Sequence, residues 1–205
     1  PTCVGMNRDR QQHHQRAHDQ GEDDWGRVIA SWHGIDAEKV MLTYQDDSTV
    51  DVIMPSGDLR TYDYSGGKPF RKPDAISDST GVRLFSYDGQ SRLMQSVDRR
   101  GAITEYEYAD GIHQTAVIEA EGEPEQRRIE TDWDSALNRI TETRTRDAQN
   151  ALVALERTTY NARGQVTARC HIDPASPNAN YACGNQTHAP AGVRQSRTVY
   201  CDAEN

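Results

Sequence analysis

Residues 87–111 read YDGQSRLMQSVDRRGAITEYEYADG, with turn-forming residues breaking two runs of alternating character. Phe85 and Tyr87 fall on one face of an incoming strand. After the turn at Asp88-Gly89-Gln90-Ser91, Leu93, Gln95 and Val97 share a face; after the turn ending at Gly101, Thr104, Tyr106 and Tyr108 share another. Asp, Asn and Gly at the breaks tolerate left-handed or locally hydrogen-bonded backbone. The segment therefore predicts a strand-turn-strand-turn-strand meander.

The same signals recur outward from it. Gly57-Asp58-Leu59-Arg60-Thr61-Tyr62-Asp63-Tyr64 and Gly101-Ala102-Ile103-Thr104-Glu105-Tyr106-Glu107-Tyr108 share the pattern G-x-x-x-x-Y-x-Y. A shorter motif, a turn residue followed by a polar and then a branched aliphatic residue, appears at Gly26-Arg27-Val28, Ser91-Arg92-Leu93, Asn138-Arg139-Ile140 and Gly164-Gln165-Val166. Three copies follow an aromatic-Asp or aromatic-Asn pair: Tyr87-Asp88, Trp133-Asp134 and Tyr160-Asn161. Tyr200-Cys201-Asp202 reads as a further start. Period two also runs through Val50, Val52 and Met54, and through Val166, Ala168, Cys170 and Ile172. Trp25, Val28, Ile29 and Trp32 fit a helical stripe, but Gly26 and Gly34 oppose a helix and Gly26-Arg27-Val28 matches the strand motif. A strand is expected there. Residues 1–21 show neither period and read as a polar lead-in, a loop or a disordered stretch; residues 22–205 read as degenerate repeats. Residues 173–192, dense in Pro, Gly and Asn, read as an insertion loop.

Composition agrees with a thin, wet sheet. Hydrophobic residues make up 35% of the 205, and the mean hydropathy is -0.89, too little apolar material for a conventional core. The 9 Tyr and 3 Trp nevertheless favour half-buried strands. A net charge of -9 with scattered basic residues disfavours a nucleic-acid partner. No apolar run reaches the length that crosses a bilayer as a helix, so membrane insertion is not expected. The chain begins at Pro1 and reads as a piece of a longer polypeptide, so the lack of a signal sequence carries no information about export.

The pattern Tyr87-Asp88-x-x-Ser91-Arg92-Leu93-x-x-x-x-Asp98-x-x-Gly101-x-x-x-x-Tyr106-x-Tyr108 resembles the YD repeat of bacterial Rhs proteins, found also in Tc-toxin cocoon subunits and teneurins. Ser91 stands where glycine is usual, and Trp133 and Asn161 replace the tyrosine and the aspartate in other copies. The resemblance implies an all-β fold of antiparallel strand-turn-strand repeats, wound into a spiral sheet that forms part of a hollow β-shell. It implies a structural role, encapsulating and helping to deliver a C-terminal toxin or effector in interbacterial competition by type VI secretion. The implied partners are the rest of the shell, the enclosed effector, and a secretion-system component or immunity protein. The implied location is secreted or cell-surface after synthesis in the bacterial cytoplasm. Aromatic rungs stacking between repeats would replace a core.

Candidate chemistry is sparse. His14 and His18 would share a helix face and, with His13, form the best metal candidate; no third helix-borne ligand and no metalloprotease glutamate accompany them. No metal, cofactor or catalytic residue is assigned, and no enzyme activity is expected. Glu22-Asp23-Asp24, Asp46-Asp47 and Asp98 read as turn and surface residues. Cys170 and Cys183 flank the predicted loop: an oxidising destination allows them to pair, a reducing one leaves them free. Cys3 and Cys201 complete the four cysteines. Asp173-Pro174 begins like the self-cleaving core of Rhs proteins but lacks its glycine, so proteolysis is not carried over. The rival reading is a surface carbohydrate- or cell-binding β module, which requires exposed aromatics clustered in one patch. The rival fold is a β-propeller.

Overall fold

The computed structural model describes residues 18–33, 37–64, 72–184 and 187–200. The described residues form strands, turns and loops without a helix. The first eight strands are β1 (His18–Glu22), β2 (Val28–His33), β3 (Ala37–Tyr44), β4 (Thr49–Ile53), β5 (Leu59–Asp63), β6 (Ala75–Asp78), β7 (Gly81–Tyr87) and β8 (Leu93–Val97). They are followed by β9 (Ile103–Glu107), β10 (Ala116–Glu119), β11 (Arg127–Asp134), β12 (Arg139–Arg146), β13 (Leu152–Tyr160), β14 (Val166–Ile172) and β15 (Val193–Arg197). Strand order in the sheet is the order along the chain. The pairing follows an antiparallel meander and not a set of propeller blades.

The Trp25–Trp32 stretch is a strand from Val28 onward, as the repeat motif predicts over the helical stripe. Strand β1 starts at His18, within the stretch read as a polar lead-in. Residues 173–192 are the connection between β14 and β15.

Two compact units make up the chain, Pro1–Ser91 with Ser96–Gly101, and Arg92–Gln95 with Ala102–Asn205. In the first, tyrosine alternates with branched aliphatic residues across the strands: Tyr44 pairs with Val50, Val50 with Tyr62, and Tyr62 with Ile76. In the second, Tyr106 pairs with Val117, and Val117 with Ile129. Such cross-strand pairs stabilise a sheet without a second layer. A small core exists in the second unit, where Leu155, Ala168, Cys170, Ile172, Tyr181 and Cys183 are buried together.

The turn chemistry is carried by the residues that the motifs single out. Asp88 Oδ1 accepts the Gln90 amide at 2.8 Å, Asp98 the Arg100 amide at 2.8 Å, Asn161 those of Arg163 and Gln165 at 3.0 Å each, and Asp134 those of Ala136 and Leu137 at 2.9 Å each. Asp23 and Asp46, read as turn and surface residues, do the same for Trp25 and Arg27 and for Ser48 and Thr49. These are Asx turns, in which the side chain imitates a backbone acceptor. The first residue of each short motif has a positive φ: 72° at Gly26, 62° at Ser91, 52° at Asn138 and 72° at Gly164. The pattern is therefore a backbone requirement for the left-handed region, met twice without glycine.

Candidate functional site: a charged sheet face and its strapped loop

Four aromatic residues at or near strand ends, three of them the aromatics that open a repeat, reach back to a backbone carbonyl at or just before the start of the preceding strand. Tyr44 donates its hydroxyl to Val28 O at 3.0 Å, Tyr87 to Pro73 O at 3.1 Å, Tyr160 to Ile140 O at 2.6 Å, and the Trp133 indole N–H to Gln114 O at 3.1 Å. The replacement of tyrosine by tryptophan at 133 preserves the donor. Basic side chains cover several of these and related rings, with Arg27 4.4 Å from the Tyr44 centroid and Arg92 4.7 Å from that of Tyr108. The aromatics are thus spread along the strands and engaged with the sheet. Trp25, 84% exposed, stands apart at a turn. Among the described residues the exposed large aromatics are Trp25 and Tyr200.

In the second unit one sheet face carries a ladder of opposite charges. Glu130 pairs across the sheet with Arg144, and Arg144 with Leu155; one step along, Glu142 pairs with Arg157, and Arg157 with Cys170. Arg128 grips Glu107 with two bonds of 2.7 and 2.6 Å, and its Nε donates to Glu130 at 3.1 Å. Arg144 grips Asp132 at 2.7 and 2.8 Å and also reaches Glu130 and Glu142. Arg146 adds a bond to Glu130 at 3.2 Å. Glu107, Glu130, Asp132 and Glu142 thus balance Arg128, Arg144, Arg146 and Arg157.

Proton affinities follow this pairing. Hydrogen bonds from Arg128 hold the Glu107 carboxyl below its usual range, and those from Arg144 do so for Asp132. At Glu130 burial pushes upward, and the bonds from Arg128, Arg146 and Arg144 outweigh it. Within this ladder the four carboxylates and four guanidinium groups are matched in number. Half-exposed pairs of this kind are each worth about 0–1 kcal/mol, but their mutual satisfaction leaves little unpaired charge for a ligand to bind.

Arg157 joins this ladder to the core. Its Nε donates to Glu142 at 2.6 Å, while its other end donates to Ala179 O at 3.2 Å and Tyr181 O at 2.8 Å, both in the 173–192 loop. Cys170 in β14 and Cys183 in that loop form a disulfide. Of the two redox states open to these cysteines, the structure adopts the paired one. Gln195 Oε1 in β15 accepts the Tyr181 hydroxyl at 2.9 Å and the Gly184 amide at 3.0 Å. Asp173 turns the chain at the loop entrance, accepting the Ala175 amide at 2.9 Å. The loop is strapped over the sheet by a covalent bond, a guanidinium and an amide.

Clefts of about 420 and 450 Å³ lie beside this strap; the first is lined by residues including Asp132, Asp134, Glu142, Arg157 and Tyr160, the second by Asn161, Thr167, Gly184 and Arg197 among others. Among the described residues no group of three or more His, Cys, Asp or Glu side chains could hold a metal. His18 lies in strand β1, so the helical pairing proposed for it with His14 does not form at that end. His13, His14, Cys3, Cys201 and Asp202 lie outside the described residues. No described helix is long and apolar enough to cross a membrane.

The ladder and the Arg157 clasp were not anticipated from sequence, although Thr141-Glu142-Thr143-Arg144-Thr145-Arg146 places charges at every second position of β12.

No protein-family model and no curated protein matches the chain. Among solved structures, the chain is similar to the Tc holotoxin pore of Photorhabdus luminescens at 12% identity, with 78% of this chain and 10% of that one covered and a TM-score of 0.34. It is similar to the TcdB2-TccC3-Cdc42 structure at 12% identity, with the same coverage and a TM-score of 0.35. A porin-like protein from Bacteroides uniformis aligns at 12% identity over 87% of this chain and 86% of that one, with a TM-score of 0.39. The chain spans about a tenth of the toxin-complex chains that it matches. TM-scores this low do not establish a shared fold.

Proposed function

We propose that the chain is a wall segment of an Rhs-type shell that contains a toxin or effector, acting by enclosure and not by catalysis. The observation that carries the reading is the repeat itself: the residues matching the YD pattern include the Asx-turn acceptors, the left-handed turn residues and Tyr87, which bonds to a carbonyl beside the preceding strand. A chain of such units extends a sheet strand by strand and needs no packed core to do so. A ladder of matched charges suits a wall that must not adhere to an enclosed polypeptide, since its carboxylates and guanidinium groups already engage one another. The disulfide suits a secreted or cell-surface destination, where oxidised cysteines persist. The partners of this reading are the remainder of the shell and its passenger, with an immunity protein or a secretion apparatus beyond them.

Electron cryo-microscopy of the full-length polypeptide from its producing cell tests the proposal. The expected image is a closed wall containing residues 18–200 around separate internal density. An open sheet, or a barrel with no enclosed chain, overturns it.

A further inference from the structure

Side chains in the second unit link one hairpin turn to the next but one. Arg92 donates to Gly111 O at 2.6 Å in the turn after β9. From that turn His113 reaches the turn after β11. Its Nδ1 is 2.5 Å from Asp110 Oδ2, and its Nε2 is 2.6 Å from Asn138 Oδ1. The ring stacks on Trp133 at 4.6 Å between centroids and 17° between planes, and Trp133 is itself fixed by its bond to Gln114 O. The His113 side chain is 14% exposed.

A neutral imidazole has one N–H and one lone pair, so it can satisfy one of two facing oxygens and repels the other; an imidazolium donates to both. We propose that His113 is a pH-sensitive staple, joining the β9–β10 and β11–β12 turns while it is protonated and releasing one of them when the proton is lost. Asp110 is the charge that faces the ring. Its Oδ1 accepts the Ile112 and His113 amides at 2.9 and 2.7 Å, which leaves Oδ2 to the imidazole. The His113 bond, followed by the turn amide of Ile112, holds this carboxyl at about 2, so it stays ionised wherever histidine titrates. From the facing turn, Asp134 is engaged by the amides of Ala136 and Leu137. Arg92, flanking the same turn as His113, is engaged by Gly111 O and the Tyr108 ring.

The Asp110 bond raises the proton affinity of His113 most, burial opposes it, and Asn138 adds to it. A raised value in the folded chain makes the contribution complete below the ordinary histidine pKa of about 6.5, and lost as pH rises through the folded value.

The test is an NMR titration of the His113 ring in the whole chain, alongside Asp110→Asn and Asn138→Gly. Asp110→Asn keeps an acceptor for the turn amides. Asn138→Gly removes the distant acceptor while suiting the positive φ of 52° at that position. The expected result is a midpoint above the ordinary histidine value that falls in both variants. Amide exchange at residues 109–113 and 135–138, corrected for intrinsic rates, is expected to quicken between about pH 5 and 8 in the native chain and to lose this dependence in the variants. An ordinary midpoint, or a midpoint unmoved by Asn138→Gly, overturns the proposal, because Asn138 would then present its amino group to a neutral ring.

Discussion

The unit built from Pro1–Ser91 and Ser96–Gly101 and the unit built from Arg92–Gln95 and Ala102–Asn205 use one repeat in two ways. In the first, Ala30 is the buried apolar residue among those described; in the second, Ala116, Leu155, Ala168, Cys170, Ile172, Tyr181 and Cys183 are buried. The first unit is held by ladder hydrogen bonds, Asx turns, cross-strand polar pairs such as Thr61 to Asp51 at 2.6 Å, and tyrosines bonded to distant carbonyls. The second adds a loop folded back on the sheet, and with it a core. The contrast teaches that the repeat by itself specifies an ordered strand succession, and that a buried cluster forms where the repeat is interrupted.

The largest effect is expected from removing the cross-link. Cys170→Ala with Cys183→Ala should cost about 2–5 kcal/mol, measured by urea unfolding, and should open residues 173–192 to proteolysis while β2–β7 keep their resistance. Arg157→Met keeps the aliphatic stem and removes the donors to Glu142, Ala179 and Tyr181. It should cost about 1–3 kcal/mol and loosen the same loop with the disulfide intact, which separates the clasp from the cross-link. Tyr87→Phe and Tyr160→Phe each remove one bond to a carbonyl, at about 0.5–1.5 kcal/mol. Local amide exchange should register the first more strongly, because no core supports its surroundings. The smallest effect is a gain: Ser91→Gly relieves a positive φ of 62° and should stabilise by a few tenths to about 1 kcal/mol, as the relief exceeds the added chain entropy. A loss on that change would mean that the Ser91 side chain matters more than its backbone.

Much of this organisation is legible in the sequence because it is local. Asp88, Asp98 and Asn161 announce turns through a chemistry completed within four residues. The short motif locates left-handed positions correctly even where Ser91 and Asn138 replace glycine. Cys170 and Cys183 bracket the strap, although spacing alone left both redox states open. What was illegible depends on register. The ladder joins Arg128 to Glu107 across 21 residues, and Arg157 finds loop carbonyls 22 and 24 residues away. In a sheet polar on both faces, a charge at every second position does not reveal which face it occupies or what stands opposite. His113 and Asn138, 25 residues apart, gave no signal at all.

Hydrogen exchange with mass spectrometry, on the oxidised and the reduced chain, tests most directly whether the repeat orders the sheet and the strapped loop supplies the core. The account predicts slow exchange throughout the β2–β7 ladder in both states, with protection of β13–β15 greatest when oxidised and falling on reduction. Loss of protection across β2–β7 on reduction, or no protection there in either state, would contradict it.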